Sequence, residues 1–108
     1  MIYTSYFGNW RNFPDGKDLV SIANYSPRGF SGREYSDLFP DQYLVSDFKN
    51  GIISEEDFAK AYIEQLEEIG KDKILNDLDG CILLCYEKSS DFCHRHILRK
   101  WLGEGEEI

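Results

Sequence analysis

The chain has 108 residues, 42% of them hydrophobic, and a formal net charge of −8. This length and apolar content are enough for one compact domain with one core, spanning residues 1–108. The acidic balance argues against binding to duplex nucleic acid, because an acidic surface repels a phosphate backbone. No stretch reaches the roughly 20 apolar residues of a membrane span, so no membrane partner is expected.

The charge is unevenly spread along the chain. Residues 53–80 carry three Lys or Arg against nine Asp or Glu, whereas residues 81–102 carry four against two. The segment 81–102 is the only basic one, and a local basic pocket for a small anion is compatible with an acidic surface elsewhere. The start of the chain lacks signal-peptide features, and the three cysteines lack a framework spacing. Both observations favour a reducing cytoplasm.

Two short strands are predicted in the first part of the chain, at Ile2–Phe7 and Leu19–Ala23. About eleven residues separate them, including the turn signal Pro14-Asp15-Gly16. A parallel crossover usually needs a dozen or more residues. The two strands are therefore non-adjacent, antiparallel or joined by an unusually tight connection. The segment Tyr25–Tyr35 reads as a loop that directly follows the second strand.

Helices are predicted for the middle of the chain. Asp41–Asn50 is a short amphipathic segment, and a longer helix is capped by Ser54 with Asp57 three residues on. Gly70 interrupts that helix, and Lys71–Leu78 forms one more. Helices of this length between two strands imply a crossover and hence a parallel pair.

The last part of the chain reads as strand, turn and helix. The apolar run Cys81–Cys85 predicts a buried strand, and Glu87–Asp91 is a polar turn. A helix with apolar residues at helical spacing then begins near Cys93. The fold class is a small α/β domain with a Rossmann-like, mostly parallel sheet of about three or four strands and flanking helices.

Cys93, His94 and Arg95 fall in the first turn of this helix, just beyond a strand end. The first N–H groups of a helix lack partners within it, and the helix dipole is positive there, so anions bind at such places. Arg95, with Arg28 or Arg33 from the earlier loop, could clamp a phosphate. Because two or three such bonds bind free phosphate weakly, a nucleotide-like ligand is favoured. Its ring would stack on an aromatic residue of the first half of the chain, namely Tyr25, Phe30 or Trp10.

Cysteine chemistry is the alternative reading of the same residues. A thiol at a helix start beside His94 and Arg95 is readily deprotonated, which suits a nucleophile at Cys93 or at the strand-end Cys85. Against it, the loop from Cys85 to Arg95 is longer than the cradle of cysteine phosphatases and has no glycine. A structural alternative is that both cysteines are small buried hydrophobic residues beside a helix cap.

A metal site is not expected, although soft ligands are present at Cys85, Cys93, His94 and His96. Zinc ligands usually occur in pairs two to four residues apart, and this spacing differs. Neighbouring residues on a helix also point about 100° apart. No cofactor is expected either, and a protein partner is left open.

The segment Leu83-Leu84-Cys85-Tyr86-Glu87-Lys88, followed by Cys93-His94-Arg95, resembles the domain-of-unknown-function 488 family. The resemblance covers nearly the whole chain, including Ile2–Phe7, Ser21–Ala23 and Leu38–Pro40. It implies a small α/β fold with a pocket shared by the first two strand ends and the Cys-x-Glu…Cys-His-Arg cluster. It supplies no established reaction. Longer relatives have a helix between the first two strands, for which Gly8–Lys17 leaves little room.

The leading hypothesis is a domain that binds a small phosphorylated or nucleotide-derived ligand. A cysteine-dependent hydrolase or transferase is the alternative, and a sponge that sequesters a nucleotide signal in phage–host conflict is a further one. Cys93 and Cys85 are the candidate catalytic residues. The candidate ligand-binding residues are Ser5, Tyr6, Asn24, Arg28, Glu87, His94 and Arg95.

Overall fold

The computed structural model describes residues 1–108 and contains five β-strands and four α-helices. The strands are β1 Tyr3–Tyr6, β2 Leu19–Ser21, β3 Arg33–Glu34, β4 Ile82–Cys85 and β5 Glu106–Glu107. The helices are α1 Gln42–Lys49, α2 Glu55–Ile69, α3 Lys71–Leu78 and α4 His94–Leu102. Two 3₁₀ segments, Phe7–Asn12 and Ser36–Leu38, complete the regular structure. The α/β class is confirmed.

The five strands form one sheet in the order β3-β2-β4-β1-β5, and every neighbouring pair is parallel. β4 lies between β1 and β2 and pairs with both. Of the three arrangements open for the first two strands, the non-adjacent one is therefore correct. Tyr6 pairs with Cys85, and Ser21 pairs with Leu84, so the carboxyl ends of the three central strands lie level.

The two edge strands were not predicted. β3 lies within Tyr25–Tyr35, which the sequence interpretation assigned wholly to a loop, and β5 lies in the acidic tail. Each has two residues, and the pair Arg33–Glu34 is exposed. Edge strands of two residues are held by main-chain pairing with one neighbour and contribute little to the core. Their sequences therefore show no alternation of apolar and polar residues from which a strand could be predicted.

The main core lies between the sheet and the four helices. Val20 of β2 and Leu83 of β4 belong to the same buried cluster as residues of every helix, so the helices share one face of the sheet. The helix residues in this cluster are Leu44, Phe58, Tyr62, Leu66, Ile74, Leu78, Leu98 and Leu102. Leu84 belongs to the opposite face, because neighbouring strand residues alternate in direction.

The predicted helix boundaries hold to within about one residue. The Ser54 side chain accepts a hydrogen bond from the Asp57 N–H at 3.1 Å, and the Asp57 carboxylate accepts one from the Ser54 N–H at 3.3 Å. This is the predicted capping box. Gly70 has φ 92° and separates α2 from α3, as predicted. None of the helices has the length and apolar character needed to cross a bilayer.

Candidate functional site

A cavity of about 190 Å³ opens beyond the carboxyl ends of β2 and β4, where α4 begins. We call it the strand-end cavity. Its polar wall residues are Asn24, Lys49, Glu87 and His94, and Cys93 also lines it. The remaining wall residues are mostly apolar: Ala23, Tyr25, Pro40, Val45, Phe48, Phe58, Tyr86 and Phe92. The carboxyl ends of β1, β2 and β4 lie level at this edge of the sheet. In open α/β sheets, ligand crevices lie at the carboxyl ends of the strands.

Cys85 and Cys93 meet beside this cavity. Cys85 is the last residue of β4, and Cys93 is the N-cap of α4, with the extended backbone angles φ −154° and ψ 146°. Their sulfur atoms are in contact and pair as a disulfide, whereas the sequence interpretation expected unpaired thiols. Cys81 is the free cysteine and is buried.

His94 is held in one orientation by the end of β2. Its Nε2 lies 2.7 Å from the main-chain oxygen of Ile22, so Nε2 carries the hydrogen and donates. The lone pair of Nδ1 then faces the sulfur of Cys93, 3.7 Å away. Burial lowers the pKa of His94 from 6.5 to about 4; the bond to Ile22 opposes this shift, and the charges of Arg95 and His96 add to it. The imidazole is therefore neutral at pH 7.

Arg95 is fully buried and does not point into the cavity. Its Nε and Nη2 donate to the Glu107 carboxylate at 3.1 Å and 2.9 Å, and its Nη1 donates to the Cys85 sulfur at 3.0 Å. Glu107 is thus the carboxylate that fixes this guanidinium, and Glu87 lies in the wall of the strand-end cavity.

The Glu107 carboxylate is enclosed by hydrogen-bond donors. The hydroxyls of Thr4 and Ser89 each donate to it at 2.6 Å, in addition to the two bonds from Arg95. Burial favours the neutral acid, but the bonds from Arg95, Ser89 and Thr4 outweigh it and lower the pKa of Glu107 from 4.5 to about 2. Sequence reasoning missed this residue, because its partners are distant along the chain and its strand has no pattern.

The other predicted site residues are divided among several places. Asn24 and Glu87 line the strand-end cavity. Ser5 is buried, and its hydroxyl donates to the Ile108 oxygen at 2.8 Å. Tyr6 pairs with Cys85 at the end of β1 and is half-buried. Arg33 donates to the Asp77 oxygen and to Cys81, remote from the cluster.

Arg28 lines a second cavity, of about 690 Å³. Leu84 of the sheet's other face contributes to its wall, and Tyr86 is shared with the strand-end cavity. The second cavity also contains Trp10 and Phe30, two of the rings proposed for stacking. Arg28 and Arg95 thus belong to separate places, and Lys49 is the cationic side chain in the wall of the strand-end cavity.

The fold and the site define a class: a small parallel α/β domain with a buried Cys-Cys-His-Arg cluster at its strand ends. Residues 6–106 match the family model DUF488-N3a, described as the active DUF488-N3 subclade. The match spans nearly the whole chain, and the protein belongs to this family, as its motif resemblance indicated. No curated protein and no solved structure matches the chain.

Proposed function

We propose that the protein binds a small phosphorylated or nucleotide-derived ligand in the strand-end cavity. The observation that supports this most directly is the combination of aromatic walls with polar groups that have no protein partner. The position agrees with Rossmann-like folds, in which nucleotides bind at the carboxyl edge of a parallel sheet.

The ring of such a ligand has two exposed stacking partners. Tyr25 and Tyr86 line the cavity with 71% and 49% of their surface exposed. Aromatic stacking contributes about 1–3 kcal/mol per base when measured by alanine substitution. The side-chain oxygen of Asn24 is buried and accepts no hydrogen bond within the protein. An exocyclic amino group on the ring would supply the missing donor.

The anionic part of the ligand has Lys49 and the start of α4 as partners. Cys93 provides no side-chain cap to this helix, and His94, the first residue of the helix, lines the cavity wall. Arg95 is excluded from this role while Glu107 neutralises it. The phosphate contacts are therefore fewer than the sequence motif suggests, and affinity depends strongly on the ring.

The strand-end cavity by itself is large enough for only part of a nucleotide. A volume of 190 Å³ is below the roughly 300–1,000 Å³ of common ligand sites. An adjoining cavity of about 510 Å³ along α1 shares Asn24, Tyr25, Val45 and Lys49 with it. The two together accommodate a ligand that inserts one end and lays the other along α1.

The test is thermal stability against nucleotides, cyclic nucleotides, ADP-ribose derivatives and inorganic anions. A ligand at about 100 times its dissociation constant adds roughly 2.7 kcal/mol, which is visible in a domain of this size. Tyr25→Ala and Lys49→Ala should each raise, at least fivefold, the ligand concentration needed for the same increase in melting temperature. Lys60→Ala, an exposed lysine on α2, is the control. A shift that Lys49→Ala and Lys60→Ala change equally would contradict the proposal.

A cysteine-dependent hydrolase or transferase is the second candidate, favoured by the contact between Cys93 and His94. With Nε2 bound to Ile22, Nδ1 is placed to take the proton of a reduced Cys93. The thiolate would attack an electrophilic carbon or phosphorus of the ligand and displace its leaving group, which would take the proton from Nδ1 of His94. Water, or an acceptor in a transferase, would then cleave the bond to the Cys93 sulfur, release the second product and restore the thiol. The description of the family as an active subclade also favours this candidate.

The proposal includes a cytoplasmic location, which would keep both cysteines reduced.

Product analysis on the same mixtures separates the two candidates. Turnover that disappears in Cys93→Ser and persists in Cys81→Ser would establish the enzyme. If the ligand is recovered intact from a stabilised complex, the result would support the binding function and contradict the enzyme.

A further inference from the structure

We propose that the reduced protein binds one zinc ion through the sulfur atoms of Cys85 and Cys93 and through Nδ1 of His94. These three atoms lie within 4.8 Å of one another, and all three residues are at least 92% buried. Thiolate and imidazole are the ligands that zinc prefers in proteins. This inference does not depend on the identity of the cavity's ligand.

The backbone explains why three residues with an unusual spacing converge. Cys93 has extended angles and lies outside the helix, so it does not follow the 100° rotation that would separate it from His94. Its sulfur turns back towards Cys85 at the end of β4. Pairs of cysteines in disulfides usually have Cα atoms about 4.4–6.8 Å apart, whereas these lie 7.8 Å apart. After reduction the sulfurs are free to separate to the ~3.8 Å that two thiolates take on one tetrahedral zinc.

The histidine is already oriented as a ligand. Metal-bound histidines almost always donate their second ring N–H to a carbonyl or carboxylate, which fixes the tautomer. The bond from Nε2 of His94 to the Ile22 oxygen, 2.7 Å long, does this here. Nδ1 therefore presents a lone pair towards the sulfurs without any rearrangement. His96 is not part of the site, because it does not belong to the cluster of converging ligand atoms, and its Nδ1 is paired with the guanidinium of Arg99.

The local charges also fit a divalent ion. Glu107 neutralises Arg95, and Nη1 of Arg95 donates to the Cys85 sulfur at 3.0 Å, a bond that stabilises a thiolate. Two thiolates with Zn²⁺ then make a neutral buried group. Binding releases the two thiol protons to solvent, and the disulfide must first be reduced by a small thiol or a phosphine.

A fourth ligand to the metal would have to come from outside this cluster, and the strand-end cavity is the adjoining space. Cys93 and His94 both line that cavity, and no fourth protein ligand belongs to the cluster. Three protein ligands with one open position is the arrangement of catalytic zinc, which keeps a site for water or substrate. Structural zinc sites instead have four protein ligands.

The test uses Co²⁺ as a spectroscopic probe on the full chain, reduced with a phosphine and kept free of oxygen. The expected result is one ion per chain, a thiolate-to-cobalt charge-transfer band, and loss of that band when Zn²⁺ is added. Cys85→Ser and Cys93→Ser should each weaken binding at least 100-fold, and His94→Gln at least 10-fold. Cys81→Ser is the matched control, a buried cysteine outside the cluster, and should bind normally.

A measurement on the unmodified protein covers the case in which a variant does not fold. Zinc should slow alkylation of Cys85 and Cys93 at least tenfold, as located by peptide mass spectrometry. Absence of both the band and the protection would overturn the proposal. Binding that survives in Cys85→Ser and Cys93→Ser would assign the ion to surface carboxylates and would also overturn it. Neither readout uses a nucleotide, so failure of the zinc site and failure of the proposed ligand are distinguishable.

Discussion

Arg95 donates two hydrogen bonds to Glu107 and thereby fastens the start of α4 to the last strand of the sheet. The guanidinium is fully buried, and 18% of the Glu107 side chain is exposed. β5 has only two residues, so side-chain bonds to Glu107, this ion pair among them, help its main-chain pairing with β1 to hold the strand in place. The pair also fixes the nitrogen that contacts the Cys85 sulfur. Glu107 is therefore a structural support of the cysteine cluster.

Glu107→Gln should destabilise the protein, because it leaves the buried Arg95 without a counter-charge. Breaking a fully buried ion pair costs about 3–5 kcal/mol. Since Glu107 is partly exposed and glutamine keeps one acceptor oxygen, we expect a loss of roughly 2 kcal/mol at pH 7. Urea unfolding measures the difference. Glu106→Gln, an exposed neighbour on the same strand, is the control and should have little effect; equal losses in both variants would refute the assigned role.

The cost of Glu107→Gln should depend on pH. The pKa of Glu107 is lowered from 4.5 to about 2, so its folded form holds fewer protons than the unfolded chain between these values. Its contribution is complete above about pH 4.5 and is lost as the pH falls towards 2. The charges that face it are Arg95 and His96 on α4. The stability difference between wild type and Glu107→Gln should therefore shrink over this range, whereas a constant difference would contradict the pKa assignment.

Tyr62→Phe should destabilise the protein although it preserves the ring. The Tyr62 hydroxyl donates to the Leu38 oxygen at 2.6 Å and is fully buried, and burial raises its pKa well above 10, so it stays protonated. Removing the donor leaves a buried carbonyl unsatisfied, at a cost of about 1–2 kcal/mol. Tyr43→Phe, where the ring is 67% exposed, should change stability by less than about 0.5 kcal/mol. Chemical denaturation measures the free energy of unfolding of both variants. A loss in Tyr62→Phe no larger than that in Tyr43→Phe would be inconsistent with this hydrogen bond.

Much of the central fold is predictable from the sequence, because the long helices and the buried strand β4 carry strong local signals. The apolar run at Cys81–Cys85 and the capping box at Ser54 are examples. The order of β1, β4 and β2 was not predictable, since it depends on pairing between segments about 60 to 80 residues apart in sequence. The edge strands lack any pattern that distinguishes them from loops.

Only some of the residues named from the sequence come together: Asn24, Glu87, Cys93 and His94 line the strand-end cavity, whereas Arg28 lines the second cavity. The strand-to-helix spacing brings Cys85 and the first turn of α4 together, as expected. The direction of the Arg95 side chain was not predictable, because Arg95 turns towards Glu107. Glu107 lies 12 residues later in the chain, in a strand too short to recognise from the sequence. The convergence of Cys93 and His94 depends on the extended backbone at the N-cap, which the residue types alone do not specify.

Gly32→Ala tests the packing of the unpredicted strand β3. A Cβ on Gly32 would overlap the main-chain oxygen of Leu19 and the Phe30 ring, because the chain passes directly over β2 at this point. The substitution must displace backbone, so we expect a loss of about 1–3 kcal/mol. Gly8→Ala is the control, since its Cβ would meet only the Tyr6 ring at 3.4 Å, an ordinary contact. Thermal unfolding of both variants measures the difference. If Gly32→Ala were as stable as Gly8→Ala, the segment before β3 would not approach β2 this closely, and the pairing of Val20 with Arg33 would be wrong.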